Sequence, residues 1–304
     1  MDGSKLVQAA QLAAGAQQYP APALYVVATP IGNLADLSLR ALHVLAIADA
    51  VACEDTRHSA ALLRHFGLDK ALLAVHAHNE RAASDMVLAR LARGERVAYV
   101  SDAGTPAVSD PGAGLVAAIT AAGHRVVPIP GPSSALAALA AAGDRHGDGF
   151  VFVGFLPAKG ADRARRLDTA VRNAWTQVLF EAPHRIESLA TALGEACAER
   201  TATVCRELTK QFETVATMPC RDLAAWLAAD PNRVRGEFAV VLHALPASVV
   251  PTTVAAHDAI LVPLLAALPL KQAVALAAEI GGAPRNALYA RALELKGGDP
   301  ESSG

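Results

Sequence analysis

The chain is poor in the side chains that several large function classes depend on. Phe, Tyr and Trp make up only 4% of its 304 residues, so base stacking on exposed rings, the usual sign of a single-strand binder, is poorly supplied. The charges nearly cancel, with 27 Lys and Arg against 29 Asp and Glu, which excludes coating nucleic acid by bulk charge while leaving room for a local basic patch. The four cysteines (Cys53, Cys197, Cys205, Cys220) form no CxxC pair and no Cys/His zinc spacing, and read as free thiols of a reducing cytoplasm. His76 and His78 sit one residue apart without a clear third ligand, so no metal site is expected. No apolar run approaches the roughly 18–20 residues of a membrane span. Residues 1–22 lack the sustained apolar region of a secretory signal and read as a flexible Ala/Gln tail.

What is present is a core-forming chain: 53% hydrophobic and 18% charged residues, enough for one large or two ordinary domains. Short apolar runs at 24–28, 50–53, 72–76, 96–101 and 125–129 alternate with helix-length segments. Runs continuous rather than alternating predict a mostly parallel sheet with helices on both sides. The Ser/Ala/Leu segment 132–142 predicts a helix that packs closely against something. Three glycines in residues 143–149 mark a linker. Beyond it, runs at 150–155, 176–180, 202–205, 214–217 and 237–243 predict a second sheet, with helices near 162–173, 184–198 and 221–229. After a Pro/Thr stretch, residues 257–296 read as two helices broken at Gly281–Pro284. The expected division is a tail (1–22), an N-terminal α/β domain (23–143), a second α/β domain (144–246) and a helical module (254–296).

Gly, Pro and small polar residues collect where the first-half strands end: Thr29–Asn33, Glu54–Arg57, His76–Glu80, Ser101–Pro106 and Pro130–Ser134. In an open parallel sheet these ends share one edge, where ligands bind. Neither GxGxxG nor GxxxxGK[ST] occurs, and none of the six lysines lies in these loops, which disfavours a polyphosphate. Backbone groups, hydroxyls and the carboxylates of Asp55, Asp102 and Asp110 suit a ligand with a positive centre, an ammonium and ribose hydroxyls. S-adenosylmethionine fits that description, although spacing alone does not single it out. In the second half, Lys159, Arg163, Arg165, Arg166 and Arg172 face only Asp162 and Asp168; that excess either contacts phosphates or forms a solvated helix face.

The segments LYVVATPIGNLADLSLRA, VACEDTRHSAALLRHFG, YVSDAGTPAVSDPG, PIPGPSSALAAL, FVGFLP, LFEAPHR, CRELTKQFE and RGEFAVVL are collinear from Leu24 to Leu242. Through them the chain resembles the bacterial 16S rRNA (cytidine-2′-O)-methyltransferases, within the tetrapyrrole (class III) methyltransferase superfamily. Ala107-Val108 stands where that family often has a bulkier residue. The resemblance implies a two-domain α/β enzyme, usually a homodimer in the cytoplasm, with S-adenosylmethionine in the cleft between its domains. The donor would lie against Pro30, Asp102, Ala103, Gly104, Thr105, Ser133 and Ser134, with the loops after Phe180 and around Gly236 closing over it. The acceptor would be a cytidine ribose in the decoding region of 16S rRNA, in an assembled small subunit whose proteins share the contacts, and the helical module would help hold RNA. On that basis Glu181, Glu207 or Lys210 takes or steers the hydroxyl proton, while Arg185 and Arg206, with Lys159 and Arg163, hold RNA phosphates. A structural salt bridge is the competing reading for each glutamate. A tetrapyrrole-precursor methyltransferase of the same fold, or a non-catalytic RNA-binding assembly factor, is the rival function.

Overall fold

Apolar runs without alternation need cover on both faces, and the first half of the chain supplies it. In the computed structural model, which describes residues 3–76, 79–246, 257–281 and 283–297, β1 (Ala23–Val27), β2 (Ala50–Cys53), β3 (Ala71–Ala74), β4 (Arg96–Val100) and β5 (Arg125–Ile129) form one sheet in the order β3-β2-β4-β1-β5. Every pairing in it is parallel. On one face α2 (Leu39–Ile47) and α3 (Thr56–His65) pack Leu42, Leu45 and Leu63 against Tyr25, Val27 and Val51. On the other, α4 (Glu80–Ala92) and α5 (Ala113–Ala121) close Val87, Leu91, Leu115 and Ile119 on Leu24, Val97 and Tyr99. α2 and α3 begin on side-chain caps: Ser38 Oγ accepts from the Ala41 amide at 3.1 Å and Asp55 from the Arg57 amide at 2.8 Å.

The expected flexible tail is not what residues 3–14 form. They make α1 (Gly3–Ala14), packed on α2 with Ala10 and Ala14 buried and Leu6 and Val7 half-buried against the core. Leu6, Ala10 and Ala14 recur at i, i+4 and i+8, a helical stripe narrow enough to pass for low complexity. Tyr19 secures the exit, its hydroxyl donating to the Ala14 carbonyl at 3.1 Å and its ring lying 4.7 Å from that of His43.

The second sheet joins β6 (Phe150–Phe155), β7 (Thr176–Glu181), β8 (Thr201–Arg206), β9 (Thr214–Pro219) and β10 (Phe238–Leu242) in the order β6-β7-β10-β8-β9. β6 and β7 are parallel and the other pairs antiparallel, so this sheet is mixed. α7 (Gly160–Arg172), α8 (Ile186–Ala196) and α9 (Leu223–Ala228) bury one face, with Leu189, Leu193 and Leu227 on Leu179, Val204 and Val240. α6 (Ser134–Ala142) buries the other: Ala135, Ala138 and Ala142 sit on Val178, Cys205, Ala239 and Val241. Alanine is what lets this helix lie so near the strands. None of the four cysteines is in a disulfide.

The C-terminal segment has its own core. It contains three helices rather than the two expected: α10 (Asp258–Ala267), α11 (Leu270–Gly281) and α12 (Arg285–Gly297). Leu268, extended ahead of Pro269, whose ring disfavours a helical residue before it, separates the first two. Leu261, Val274, Ala277, Leu288 and Ala292 are buried together, and Arg291 donates to Asp258 at 2.7 Å across the group. Most of the expected Pro/Thr stretch, with Gly282 and His78, lies outside the described residues. No described helix is long and apolar enough to cross a membrane.

Candidate active site

Because the strands of the first sheet run parallel, their carboxyl ends deliver the loops to one edge, and hydrogen bonds lock those loops together. Thr29, fully buried, exchanges backbone bonds with Gly104 at 2.9 and 3.1 Å, joining the loop after β1 to the loop after β4. Thr105 Oγ1 donates to the Pro132 carbonyl at 3.0 Å, adding the loop after β5. Asp102 Oδ1 accepts from the Asp55 amide at 3.1 Å, adding the loop after β2. Here a cleft of about 370 Å³ opens, within the size range of small-molecule sites.

Ala103, Gly104, Thr105, Ser133 and Ser134, all expected to meet the donor, line the cleft. Two other expected donor residues do not. Pro30 is buried beside Ile31, which does line it, and the Asp102 side chain is turned to the second loop. Ser133 also accepts from the Leu136 amide as the cap of α6, so the positive end of that helix points at the cleft. Asp110, on the rim, has its carboxyl pushed up by burial; a hydrogen bond with Ser101 opposes this and the charge of Asp102 adds to it. No group of three His, Cys, Asp or Glu among the described residues is placed to hold a metal.

The far wall comes from the second sheet. Glu181 ends β7 and lines the cleft, yet both carboxylate oxygens are engaged: Oε2 accepts from Arg163 Nη2 at 3.1 Å, Oε1 from Arg185 Nη2 at 2.5 Å and from the Ala182 amide at 2.9 Å. The two arginines give their other Nη groups to the carbonyls of Pro157 and Leu156. Their side chains are only 14% and 17% exposed, a geometry that turns both guanidinium groups inward, away from any external phosphate. Arg206 is likewise held from within the protein, donating to the Arg235 carbonyl ahead of β10 at 2.7 Å and to the Phe212 carbonyl of its own loop at 2.9 Å. Lys159, just ahead of α7, is exposed.

Glu207 and Lys210 are brought together beside the cleft rather than in its wall. Lys210 Nζ lies 2.9 Å from Glu207 Oε1 and 3.0 Å from Glu237 Oε2, and the Glu237 amide donates to Glu207 Oε1 at 3.0 Å. Burial works against the Glu207 charge, but the bonds from Lys210 and the Glu237 amide outweigh it and hold the carboxyl below its usual range. Burial likewise opposes the Lys210 charge, and its two carboxylate partners raise the ammonium above its usual range. A Cβ on Gly32 would lie 2.5 Å from Lys210 Cγ, so this loop folds directly over the loop after β1.

Leu208 and Glu237 line the cleft from this cluster, together with Ala182, Pro183, Phe238 and Ala239. Ala182 and Pro183 follow Phe180 and Glu237 follows Gly236, in the two loops expected to close over a donor, while Phe238 and Ala239 begin β10. Phe155, Phe180 and Cys205 also line it and had no signal of their own, because strand residues reach the site only through the order in which the strands pair.

The chain matches the family model of Tetrapyrrole (Corrin/Porphyrin) Methylases over residues 23–224 and that of the RsmI C-terminal HTH domain over residues 251–296. It is 49% identical over 276 residues to the ribosomal RNA small subunit methyltransferase I of Pseudomonas aeruginosa, covering 90% of this chain and 98% of that one. The chain belongs to the ribosomal RNA small subunit methyltransferase I family. The fold of this methyltransferase I family member is shared by a cobalt precorrin-4 methyltransferase of cobalamin biosynthesis, with a TM-score of 0.55 at 18% identity, covering 72% of this chain and 94% of that one. It is shared too by the uroporphyrin-III C-methyltransferase of Thermus thermophilus, solved with S-adenosylhomocysteine, with a TM-score of 0.51 at 17% identity, covering 72% and 96%.

Proposed function

We propose that this chain is a cytoplasmic, homodimeric enzyme that uses S-adenosylmethionine to methylate the ribose 2′-oxygen of a cytidine in the decoding region of 16S rRNA, within the assembled small subunit. The observation that carries the reading is the 49% identity across nearly the whole of a relative named for ribosomal RNA small subunit methylation. The cleft supports the donor: backbone and hydroxyl groups of Ala103–Thr105, Ser133 and Ser134, a helix N-terminus suited to a carboxylate, and a lining that, among the described residues, has the acidic Asp110, Glu181 and Glu237 but no lysine or arginine, suited to a sulfonium. The domain division 23–143, 144–246 and 254–296 belongs to the same proposal, with the C-terminal helices as RNA-holding elements.

Bound S-adenosylmethionine supplies an electrophilic methyl group whose bond to sulfur breaks as the bond to oxygen forms. The protein's part is alignment and the removal of water, which can contribute on the order of 7–11 kcal/mol. The ribose hydroxyl must also lose its proton. Glu207, ionised at neutral pH, is the available acceptor, and the Lys210 ammonium, which has no lone pair to offer, steers it and steadies developing negative charge. Glu181, enclosed by two arginines, acts as a positioning residue. With Arg163, Arg185 and Arg206 held internally, Lys159 is the expected phosphate contact that faces outward.

Comparing 16S rRNA nucleosides by mass spectrometry from cells with and without this chain tests the reading: 2′-O-methylcytidine at one decoding-region position should disappear with the gene. An unchanged nucleoside profile overturns it. Methylation of purified subunits should also weaken as salt rises, since phosphate contacts release counterions.

Lys210→Met should lower kcat by on the order of 100-fold while the donor still binds. The Glu207 carboxyl is depressed in the folded protein, so its pairing is fully present above the ordinary carboxyl value of 4.5 and is lost only as pH falls through the lower folded value. The rate should therefore show no acid limb from Glu207 near neutral pH, and a pH–rate profile checks this.

A further inference from the structure

Two exposed apolar side chains stand at the cleft, Val108 in the loop after β4 and Phe155 at the end of β6, and each is put there by unusual backbone. Phe155 is 52% exposed and Val108 is 54% exposed, and both line the cleft, whereas Glu181, Cys205 and Ala239 in the same lining are buried. Val108 follows Ala107, whose φ of +63° lies in the left-handed region that a residue with a Cβ enters at a cost.

Phe155 is placed by a β-bulge. On β6, Phe152 points to the α6 face and Val153 to the opposite face, where it packs with Leu189 and Leu193. Strict alternation would send Phe155 to the Val153 side. Instead the register with β7 slips between Phe152 and Gly154, and Gly154 takes a φ of +66°. The extra residue flips the face: Phe155 joins Phe152 on the same side, their rings meeting Phe180 edge-on at 5.6 and 5.1 Å, and Leu156 takes the buried position opposite. A bulge that costs a ladder bond and leaves a phenyl ring half in water is explained by what the ring faces.

We propose that Phe155, with Val108 in the same lining, is the platform on which the pyrimidine ring of the acceptor nucleotide stacks while its ribose is methylated; this rests on the RNA-methylation reading above. A ribose inside an RNA helix or packed loop reaches an enclosed cleft only when its nucleotide is swung out, and the exposed base then needs a flat apolar surface. Phe155 offers one, braced by Phe180 and half exposed. The other large aromatics exposed among the described residues, Phe150, Trp175, Phe212 and Tyr289, do not line the cleft. A ring for the donor would belong with the buried part of the lining, where water is excluded, and Phe155 is among its most exposed members. Lys159, exposed and four residues further on, is placed for a neighbouring phosphate.

The test uses Phe155→Ala, Phe155→Leu and Phe155→Trp in the full chain, with small subunits isolated from cells lacking this enzyme as acceptor. Donor affinity is read by calorimetry with S-adenosylmethionine, and kcat and KM are read for subunits. Losing one base stack should raise the subunit KM by about 5- to 150-fold for Ala and Leu. Trp should hold KM near wild type, and the donor Kd should stay within about twofold throughout. Leu keeps the apolar bulk, so a fall with Leu marks the flat ring rather than folding, and unchanged thermal midpoints confirm it. A donor Kd that rises in step with KM would assign the ring to the donor and overturn the proposal, as would wild-type kinetics for the Leu variant. If the wild-type protein binds donor but methylates no subunit, the RNA reading itself fails, a result distinct from either.

Discussion

Glu181→Ala should lower the stability of the fold by about 3–5 kcal/mol, because it strands two guanidinium groups where water cannot replace the lost carboxylate. Arg163 and Arg185 are both pulled into the protein by Glu181, from α7 and from the turn after β7. Arg185 already has a buried Nε without a hydrogen-bond partner, so little slack exists for its head group to find another. The same carboxylate accepts from the Ala182 amide, and Ala182 and Pro183 form cleft wall, so donor affinity should fall with stability. Glu181→Gln separates a brace from a proton acceptor. A brace loses denaturation midpoint and donor affinity while the pH–rate profile of the remaining activity keeps its shape. An acceptor would instead lose kcat with stability and donor affinity intact, and that outcome would reinstate Glu181 as a catalytic base. The double variant with Arg163→Met should recover part of the loss, since one unpaired buried charge goes with its partner.

The first sheet was legible because its strands announce themselves twice, by unbroken apolar runs and by the small-residue loops that follow them. Parallel pairing then places those loops on one edge without further information, whereas the choice of Ala103–Thr105, Ser133 and Ser134 within them came from the family resemblance. The second sheet was legible as strands but not as a site. That Arg163 reaches Glu181 depends on α7 lying against the end of β7, a packing fact with no mark in either segment. Charge type alone made Arg163, Arg185 and Arg206 look like phosphate contacts, whereas the carbonyls and carboxylate that hold them are distant in sequence. Phe155 shows the limit most clearly. The scarcity of aromatics argued against stacking, and which face the residue after Gly154 takes is fixed only by its register with β7. α1 was missed for the opposite reason: its stripe is regular, but alanine carries so little apolar surface that the pattern barely rises above composition.

At the opposite end of β7 from Glu181 stands a second arginine brace, and its removal should be as costly to stability while sparing the cleft. Arg200 is 5% exposed and donates Nε to the His243 carbonyl at 2.6 Å, Nη1 to Val171 at 2.8 Å and Nη2 to Trp175 at 2.9 Å. Those carbonyls lie at the end of β10, in the last turn of α7 and just before β7, so a single planar group fastens three elements. Burial pulls the Arg200 pKa down, opposed by the nearby Cys197, Cys220 and Asp144, yet a guanidinium remains charged at any working pH. Arg200→Ala removes the guanidinium bonds to three carbonyls, of which Trp175 keeps its donor from Gln177 Nε2 at 2.8 Å; at about 1–3 kcal/mol for each bond not replaced, the net loss should be about 3–5 kcal/mol. Arg200→Lys should recover little of it, because a compact ammonium cannot span three acceptors that a planar fork reaches at once. Urea unfolding reads both variants, and donor calorimetry well below their midpoints should return wild-type affinity, since none of the three elements presents its cleft end there. Wild-type stability in Arg200→Lys would show that one point charge suffices and that the fork is not what joins β7, α7 and β10.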